Sequence, residues 1–245
     1  MTLLVGFGLL ATVFVTSFIS GIFGMAGGMI LLWVLLLIMP VASAIAVHGI
    51  IQVVANGSRA WFTRRYIEWR VLAIIVAGVL LAALLLLVVR YEPSLLLVYF
   101  VIGALPVLIW IPRRWLHLDV TRPSHALACG LVTGGLNLSV GLSGPTFDIF
   151  FIHTSMDRRA IIATKAATQV ISHATKVLFY AGLATETLAG DWMIIAFAAP
   201  VAVLGTRAGN IVLEKMSDAR FRQWTRGIVT VIGLVYLARG IELLF

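Results

Sequence analysis

Several long stretches of this chain contain no charged residue, and their length limits the folds that the chain can adopt. Residues 3–19, 71–89 and 95–111 are uncharged and almost wholly apolar. A helix needs about 20 such residues to cross the hydrocarbon core of a bilayer. The stretches do not alternate between apolar and polar residues, which excludes the strands of a transmembrane barrel. We therefore expect an all-α integral membrane protein.

The charged residues support the same class of protein. They make up 11% of the chain, whereas a soluble domain has about 25%. The net charge of +8 does not indicate nucleic acid as a partner, because Lys and Arg stand singly or in pairs between apolar segments. The single Cys129 lies in an apolar run and is expected to be a small buried hydrophobe. Membrane lipids are the expected surroundings of the chain.

The two halves of the sequence align without a gap at an offset of 117 residues. FGMAGG at 23–28 aligns with VGLSGP at 140–145, and QVVANGSRAWF at 52–62 aligns with QVISHATKVLF at 169–179. Glycine turns and polar residues within apolar segments coincide at this one offset, which predicts an internal duplication. We expect a first repeat over residues 1–117 and a second over 118–245.

Each repeat is expected to hold a helical hairpin with a glycine turn, followed by three transmembrane helices. The first hairpin covers 3–39, with helices at 42–62, 71–89 and 95–111; the second covers 124–156, with helices at 160–181, 192–207 and 226–243. The second limb of each hairpin is short for a membrane span, at about 1.5 Å per residue. Such limbs are typical of broken or re-entrant helices.

The distribution of Lys and Arg among the loops predicts the orientation. Thirteen of the 18 basic residues fall in four loops, at 64–70, 112–123, 156–159 and 207–226, and basic loops face the cytoplasm. The opposite side keeps only Arg90 and Arg239, and the loop at 182–191 has none. Both termini then lie on the non-cytoplasmic side. The two repeats are inverted, as in many secondary transporters.

Two polar stripes occupy equivalent positions in the two repeats. Their members are His48, Gln52, Asn56 and Arg59 in the first, and Lys165, Gln169, His173 and Lys176 in the second. Helical spacing places each set on one face. An Arg or Lys at the centre of a membrane helix costs at least ~2.5 kcal/mol on insertion scales, and Asp148 is the only clearly intramembrane carboxylate. An anionic substrate is the natural missing partner, although such residues also link helices by hydrogen bonds.

The glycine turns are expected to complete the site. Gly27 and Gly28 in the first repeat, and Ser143 and Gly144 in the second, permit a tight reversal of the backbone. Each turn opens a short helix whose positive N-terminal end suits an anion. Close packing of helices through small residues is the alternative explanation.

We predict from these features which residues bind the substrate. The predicted site consists of Gln52, Asn56, Arg59, Gln169, His173 and Lys176 with Gly27, Gly28, Ser143 and Gly144. His48, Lys165 and Asp148 are secondary candidates. The first six supply hydrogen-bond donors and positive charge, and the small residues let the backbone come close to the anion.

At this point the sequence resembles a known family. FGMAGGMI after a hydrophobic first segment, its echo VGLSGPTF, a length near 250 and the two-hairpin plan are similar to the sulfite exporter TauE/SafE family. The resemblance covers essentially the whole chain and departs from a plain Gly-Gly turn at Gly144-Pro145. It implies export of small anions, chiefly sulfite and organosulfonates such as sulfoacetate, across the bacterial inner membrane.

Two other functions compete with this interpretation. An intramembrane enzyme acting on a lipid phosphate needs a base, a poised nucleophile or carboxylates that hold a metal. The ten acidic residues lie nearly all in loops, and HxxxH and HExxH patterns are absent, so we expect no enzyme, cofactor or metal. An anion channel or uniporter is the closer alternative, because a sequence does not separate a pore from a carrier. The apolar fourth and fifth segments leave room for a homodimer.

Overall fold

The computed structural model describes residues 3–112, 115, 117–151, 153–182 and 192–245, and every regular element within them is helical. The helices are α1 (Leu3–Phe23), α2 (Met25–Ile38), α3 (Val41–Thr63), α4 (Trp69–Val88), α5 (Leu95–Ala104), α6 (Val107–Trp110), α7 (Pro123–Ser139), α8 (Gly144–Phe150), α9 (Arg158–Tyr180), α10 (Trp192–Glu214) and α11 (Asp218–Glu242). A 3₁₀ turn, Arg64–Tyr66, follows α3. Most of the predicted basic-free loop at 182–191, and Arg113 and Arg114 of a predicted cytoplasmic loop, lie outside the described residues.

Five of the described helices are long and apolar enough to cross a membrane, namely α1, α3, α4, α10 and α11. The limb α2 and the segment Leu95–Trp110 are shorter apolar helices. Although α9 has 23 residues, it is not among the five, because cations and hydroxyl groups interrupt its apolar sequence. The expectation of an all-α membrane protein is confirmed.

The helix ends differ from the sequence prediction in three places. The segment predicted at 95–111 is interrupted after Ala104, since Pro106 lacks a backbone N–H and its ring obstructs the preceding turn. The limb α8 stops at Phe150, whose carbonyl accepts a hydrogen bond from Val120 N at 3.2 Å. The loop predicted at 207–226 is mostly helical, because α10 runs to Glu214 and α11 begins at Asp218. Apolar runs mark only the membrane-embedded part of a helix, whereas Arg, Lys and Glu favour continuation beyond it.

The contact between α3 and α9 forms the centre of the molecule, and we call it the central seam. Gly49 faces Val177 near one end, and Gly57 faces Val170 farther along, so the two helices run antiparallel. Their bounds differ by the 117 residues of the sequence alignment at both ends.

Two further helix pairs pack closely on either side of the seam. In α1 and α10, Phe14 lies beside Gly205 and Phe18 beside Gly209, so these helices run parallel. In α4 and α7, a Cβ atom added at Gly130 would lie 1.9 Å from the carbonyl oxygen of Ile75. Backbones approach this closely only where a side chain is absent.

An aromatic cluster joins α2 to one helix of each repeat. The ring of Trp33 lies 5.5 Å from that of Tyr99 and 5.0 Å from that of Tyr236. The Tyr236 hydroxyl donates to the carbonyl oxygen of Met29 at 2.8 Å. The cluster therefore holds the first hairpin against α5 and α11.

Candidate functional site

Both hairpins turn at a glycine whose backbone lies in the left-handed region. The φ angle is 74° at Gly24 and 84° at Gly141, which a residue with a side chain adopts only under strain. A Cβ atom added at Gly144 would lie 2.6 Å from the Cβ of Met25. The first residues of α2 and α8 therefore touch, and the two hairpin tips meet.

Side chains of the central seam form hydrogen bonds with carbonyl oxygens of the two hairpins. His48 Nε2 lies 3.1 Å from the Gly28 oxygen, and Lys176 Nζ donates to the Gly141 oxygen at 3.0 Å. Arg59 Nη2 donates to the Ser20 oxygen at 3.1 Å. Gly141 lies in the second turn, Gly28 lies in the first half of α2, and the Ser20 carbonyl also accepts from the Gly24 N–H at 2.8 Å. These contacts connect the seam to both hairpins.

Lys176 is fully buried and has one acceptor for each of its three N–H groups. The acceptors are His48 Nδ1 at 2.9 Å, the Gly141 oxygen at 3.0 Å and Asn137 Oδ1 at 3.4 Å. The Gly28 carbonyl can only accept, so His48 Nε2 carries the proton, and Nδ1 of the neutral imidazole then accepts from Lys176. All three acceptors are neutral. Within the described part of the chain, no carboxylate forms an ion pair with Lys176.

Asn137 belongs to this network, and the sequence analysis did not identify it. Its Nδ2 donates to the Ser172 carbonyl at 3.0 Å and to the Ser172 hydroxyl at 2.9 Å, which turns its oxygen toward Lys176. The sequence did contain a signal for Asn137: it is a polar residue near the end of an apolar limb, and the 117-residue offset aligns it with another one, Ser20. The Ser20 carbonyl holds Arg59 in the first repeat, just as Asn137 contacts Lys176 in the second.

The polar stripe of α3 lies along one side of the first hairpin. Asn56 Nδ2 donates to the Gln52 carbonyl at 3.0 Å and to its Oε1 at 3.2 Å. A Cβ atom added at Gly28 would lie 3.1 Å from Gln52 Nε2 and 3.5 Å from His48 Nε2. Gly28 thus lets the amide and the imidazole come close to the backbone of α2.

The stripe of α9 divides into two environments. The His173 ring is buried, with its centroid 5.6 Å from that of His48, and its Nδ1 has no hydrogen-bond partner among the described residues. Gln169 is half-buried. Lys165 instead forms an ion pair with Asp148, and both side chains are partly exposed, by 24% and 47%. Lys165 and Asp148 are therefore partners of each other, while His173 lies beside His48 in the central seam.

The residues predicted to form the turns have different surroundings. The first hairpin turns at Gly24, so the prediction that Gly27 and Gly28 form this turn is wrong: both lie within α2, because the left-handed backbone falls before them, whereas Ser143 and Gly144 lie at the start of α8. A Cβ atom added at Gly27 would lie 1.8 Å from the Thr16 carbonyl, so Gly27 allows α2 to pack on α1. Ser143 is buried, and its carbonyl accepts from Thr146 N at 3.1 Å in the first turn of α8. The buried Thr146 hydroxyl has no partner in the described part of the chain. Among the described residues, no group of three His, Cys, Asp or Glu side chains is arranged to hold a metal.

Comparison with known proteins assigns the family. No curated protein and no solved structure matches the chain. Residues 9–236 match the family model described as sulfite exporter TauE/SafE. This range includes both hairpins and the central seam. It indicates a multi-pass membrane protein that exports sulfite or another small anion, consistent with a protein that is not an enzyme. The chain belongs to the sulfite exporter TauE/SafE family.

Proposed function

We propose that the protein is a secondary transporter that exports sulfite or an organosulfonate such as sulfoacetate across the bacterial inner membrane. The observation that carries the proposal is Lys176, a fully buried cation whose acceptors are all neutral. Ionisable groups inside membrane proteins are costly and commonly mark the path of an ion. An anion that reaches the central seam supplies the opposite charge.

The proposed binding region lies beside the two hairpin tips. Gln52 and Asn56 of α3 and Gln169 and His173 of α9 supply hydrogen-bond donors. The first residues of α2 and α8, with Gly28, Ser143 and Gly144, bring the backbone close to the anion. Two buried polar atoms without partners, His173 Nδ1 and Thr146 Oγ1, support this region. Arg59 and Lys176 lie near opposite ends of the antiparallel seam and attract the anion from either face.

We further propose that the halves 1–117 and 118–245 are inverted repeats. Exchanging α1 with α7, α3 with α9, and α4 with α10 maps the parallel pair α1 and α10 onto the parallel pair α7 and α4. The same exchange maps the antiparallel seam onto itself. Inverted repeats that rock against each other around a fixed midplane site produce alternating access.

The predicted orientation makes the membrane potential a driving force for export. The basic loops face the cytoplasm and both termini face the opposite side. An inside-negative potential drives a single negative charge outward with about 2.3 kcal/mol per 100 mV. The hypothesis therefore requires no coupling ion.

Thermal stabilisation of the purified protein tests the proposal. Sulfite, sulfoacetate, taurine, sulfate, phosphate and acetate are compared in detergent, with a cationic solute as the control. We expect sulfite or sulfoacetate to raise the melting temperature of the wild type, and Gln169→Ala or Arg59→Gln to remove the effect. A protein that is stabilised by the cation and by none of the anions contradicts the proposal.

A further inference from the structure

A solvent-open surface cavity of about 280 Å³ lies where α3 ends and α9 begins. Thr63, Arg65, Tyr66, Arg159 and Ile162 line it. Pockets for drug-sized ligands measure roughly 300–1,000 Å³, so this cavity suits a small ion with a few water molecules. Its wall has two guanidinium groups, two hydroxyl groups and one aliphatic side chain.

We propose that this cavity is a second binding site, for an oxyanion group such as a sulfonate, sulfite or phosphate, and that it receives the anion before the central seam does. The binding claim stands on the cavity itself. The role in capture rests on the proposed transport function.

The two guanidinium groups of the cavity converge on one aromatic ring. Arg65 Cζ lies 4.7 Å and Arg159 Cζ 5.5 Å from the centroid of Tyr66, and Arg159 Nη1 donates to the Tyr66 hydroxyl at 3.1 Å. Neither guanidinium is in an ion pair with a described carboxylate. The nearby Asp157 carboxylate caps α9 by accepting from the Arg159 backbone N–H at 2.9 Å. Two positive groups held together in this way favour an anion, and the planar fork of Arg matches oxyanions.

The position of the cavity connects it with the seam. Thr63 is the last residue of α3, and its hydroxyl donates to the carbonyl of Arg59 one turn deeper at 2.9 Å. Toward the opposite end, Lys176 is fully buried and Gly49 packs against Val177. Near the cavity end the helices are farther apart, because a Cβ atom at Gly57 would meet nothing closer than Val170 at 4.0 Å. Of the two seam cations, Arg59 is therefore the one nearer to the cavity along the seam.

A lipid headgroup presents the same chemistry as a free oxyanion. The exposed side chains of Trp61, Phe62 and Trp69 lie close to the cavity in sequence, and indole rings favour the membrane interface. A phosphate from an anionic lipid and a soluble sulfonate thus compete for the same two guanidinium groups. The experiment separates these two sources.

Sulfate is the probe, titrated by calorimetry into the full chain in phosphatidylcholine nanodiscs. The background carries Arg59→Gln and Asn137→Asp, which remove or neutralise the cations of the seam. We expect the added pair Arg65→Gln and Arg159→Gln to weaken sulfate binding about tenfold or more, because charge-assisted hydrogen bonds are lost. Arg64→Gln is the matched control, since Arg64 stacks on Trp61 at 4.4 Å and does not line the cavity. Equal sulfate affinity in the background protein, in the variant with the added Arg pair and in the Arg64→Gln control overturns the site.

Nanodiscs containing phosphatidylglycerol identify the source of the oxyanion. Weaker sulfate binding in these discs, with lipid binding that depends on Arg65 and Arg159, assigns the cavity to lipid phosphate. Unchanged sulfate binding assigns it to the soluble anion. Both results support an oxyanion site, and the second supports its role in capture.

Transport kinetics in an otherwise wild-type chain separate this proposal from the proposed function. For sulfoacetate or sulfite, we expect the pair Arg65→Gln and Arg159→Gln to raise KM about tenfold and to leave kcat within about twofold, since only capture is lost. Unchanged KM and sulfate affinity contradict the site and leave the function intact. Sulfate binding that depends on the two Arg residues, in a protein that transports no anion, contradicts the function and leaves the site intact.

Discussion

Lys176 is fully buried among neutral hydrogen-bond partners, and Arg59 occupies the aligned position in the other repeat. We expect Lys176→Gln and Arg59→Gln each to reduce the initial rate of anion transport at least about tenfold, because each loses a charge-assisted interaction worth about 1.5–3 kcal/mol. Uptake of sulfite into inverted proteoliposomes measures the rate. Arg70→Gln, which removes an exposed charge, is the control. Unchanged transport in both seam variants contradicts the assignment.

Asn137 offers a test that separates charge from shape. Asn137→Asp is nearly isosteric and keeps an oxygen at the position of Asn137 Oδ1, 3.4 Å from Lys176 Nζ. Its second oxygen can accept from the Ser172 hydroxyl, whereas the hydrogen bond to the Ser172 carbonyl is lost, which lowers the melting temperature without a change of shape. The new ion pair neutralises Lys176, so we expect the protein to remain folded and anion binding to fall at least about tenfold. Melting temperature and sulfite binding are measured on the same sample. A variant that binds sulfite as tightly as the wild type indicates that the charge of Lys176 is not used.

The close pairing of α4 and α7 depends on glycine at particular positions of one helix. A Cβ atom at Gly130 would lie 1.9 Å from a backbone oxygen of α4, whereas one at Gly135 would meet nothing within 4 Å. We expect Gly130→Ala to destabilise the protein by about 1–3 kcal/mol through overpacking. Gly135→Ala changes the same helix without this contact. Thermal unfolding in detergent compares them, and equal stability of the two variants would show that α4 and α7 do not pack as described.

The hairpin limbs α2 and α8 illustrate how an element depends on its neighbours. Neither limb is long enough to cross a bilayer alone, at 14 and seven residues. Contacts from other elements satisfy their ends, such as the bond from Tyr236 to Met29 in α2. A broken helix is tolerated at membrane depth where neighbouring protein supplies the missing partners.

The proposed inverted repeats and the basic loops predict the arrangement of the entire chain in the membrane. We expect Cys substituted at Arg70 and Lys215 to react with an impermeant thiol reagent only from the cytoplasmic side, and Cys at Glu92 only from the opposite side. All three positions are exposed, and Cys129→Ser removes the one native thiol, which is buried. Labelling of Glu92→Cys and Lys215→Cys from the same side would contradict the inverted topology.

Local patterns in the sequence were sufficient to predict the class of fold and most helices. The length of an apolar run is a property of neighbouring residues, so the helix predicted at 42–62 lies within one residue of the observed ends of α3. The parts of α10 and α11 that extend beyond the apolar runs carry no such local signal, so both helices were predicted too short. The family resemblance also rested on local glycine motifs, and the match over residues 9–236 confirmed it.

The sequence by itself determined which polar residues interrupt the apolar helices, whereas only the tertiary structure decided which of them meet. Lys165 and Lys176 lie on the same face of α9. Lys165 nevertheless pairs with Asp148, whereas Lys176 contacts His48, Asn137 and Gly141. Asn137 is 39 residues from Lys176 and His48 is 128 residues away. The partners of a buried charge depend on which helices pack together, and that packing is a property of the folded chain rather than of any local stretch.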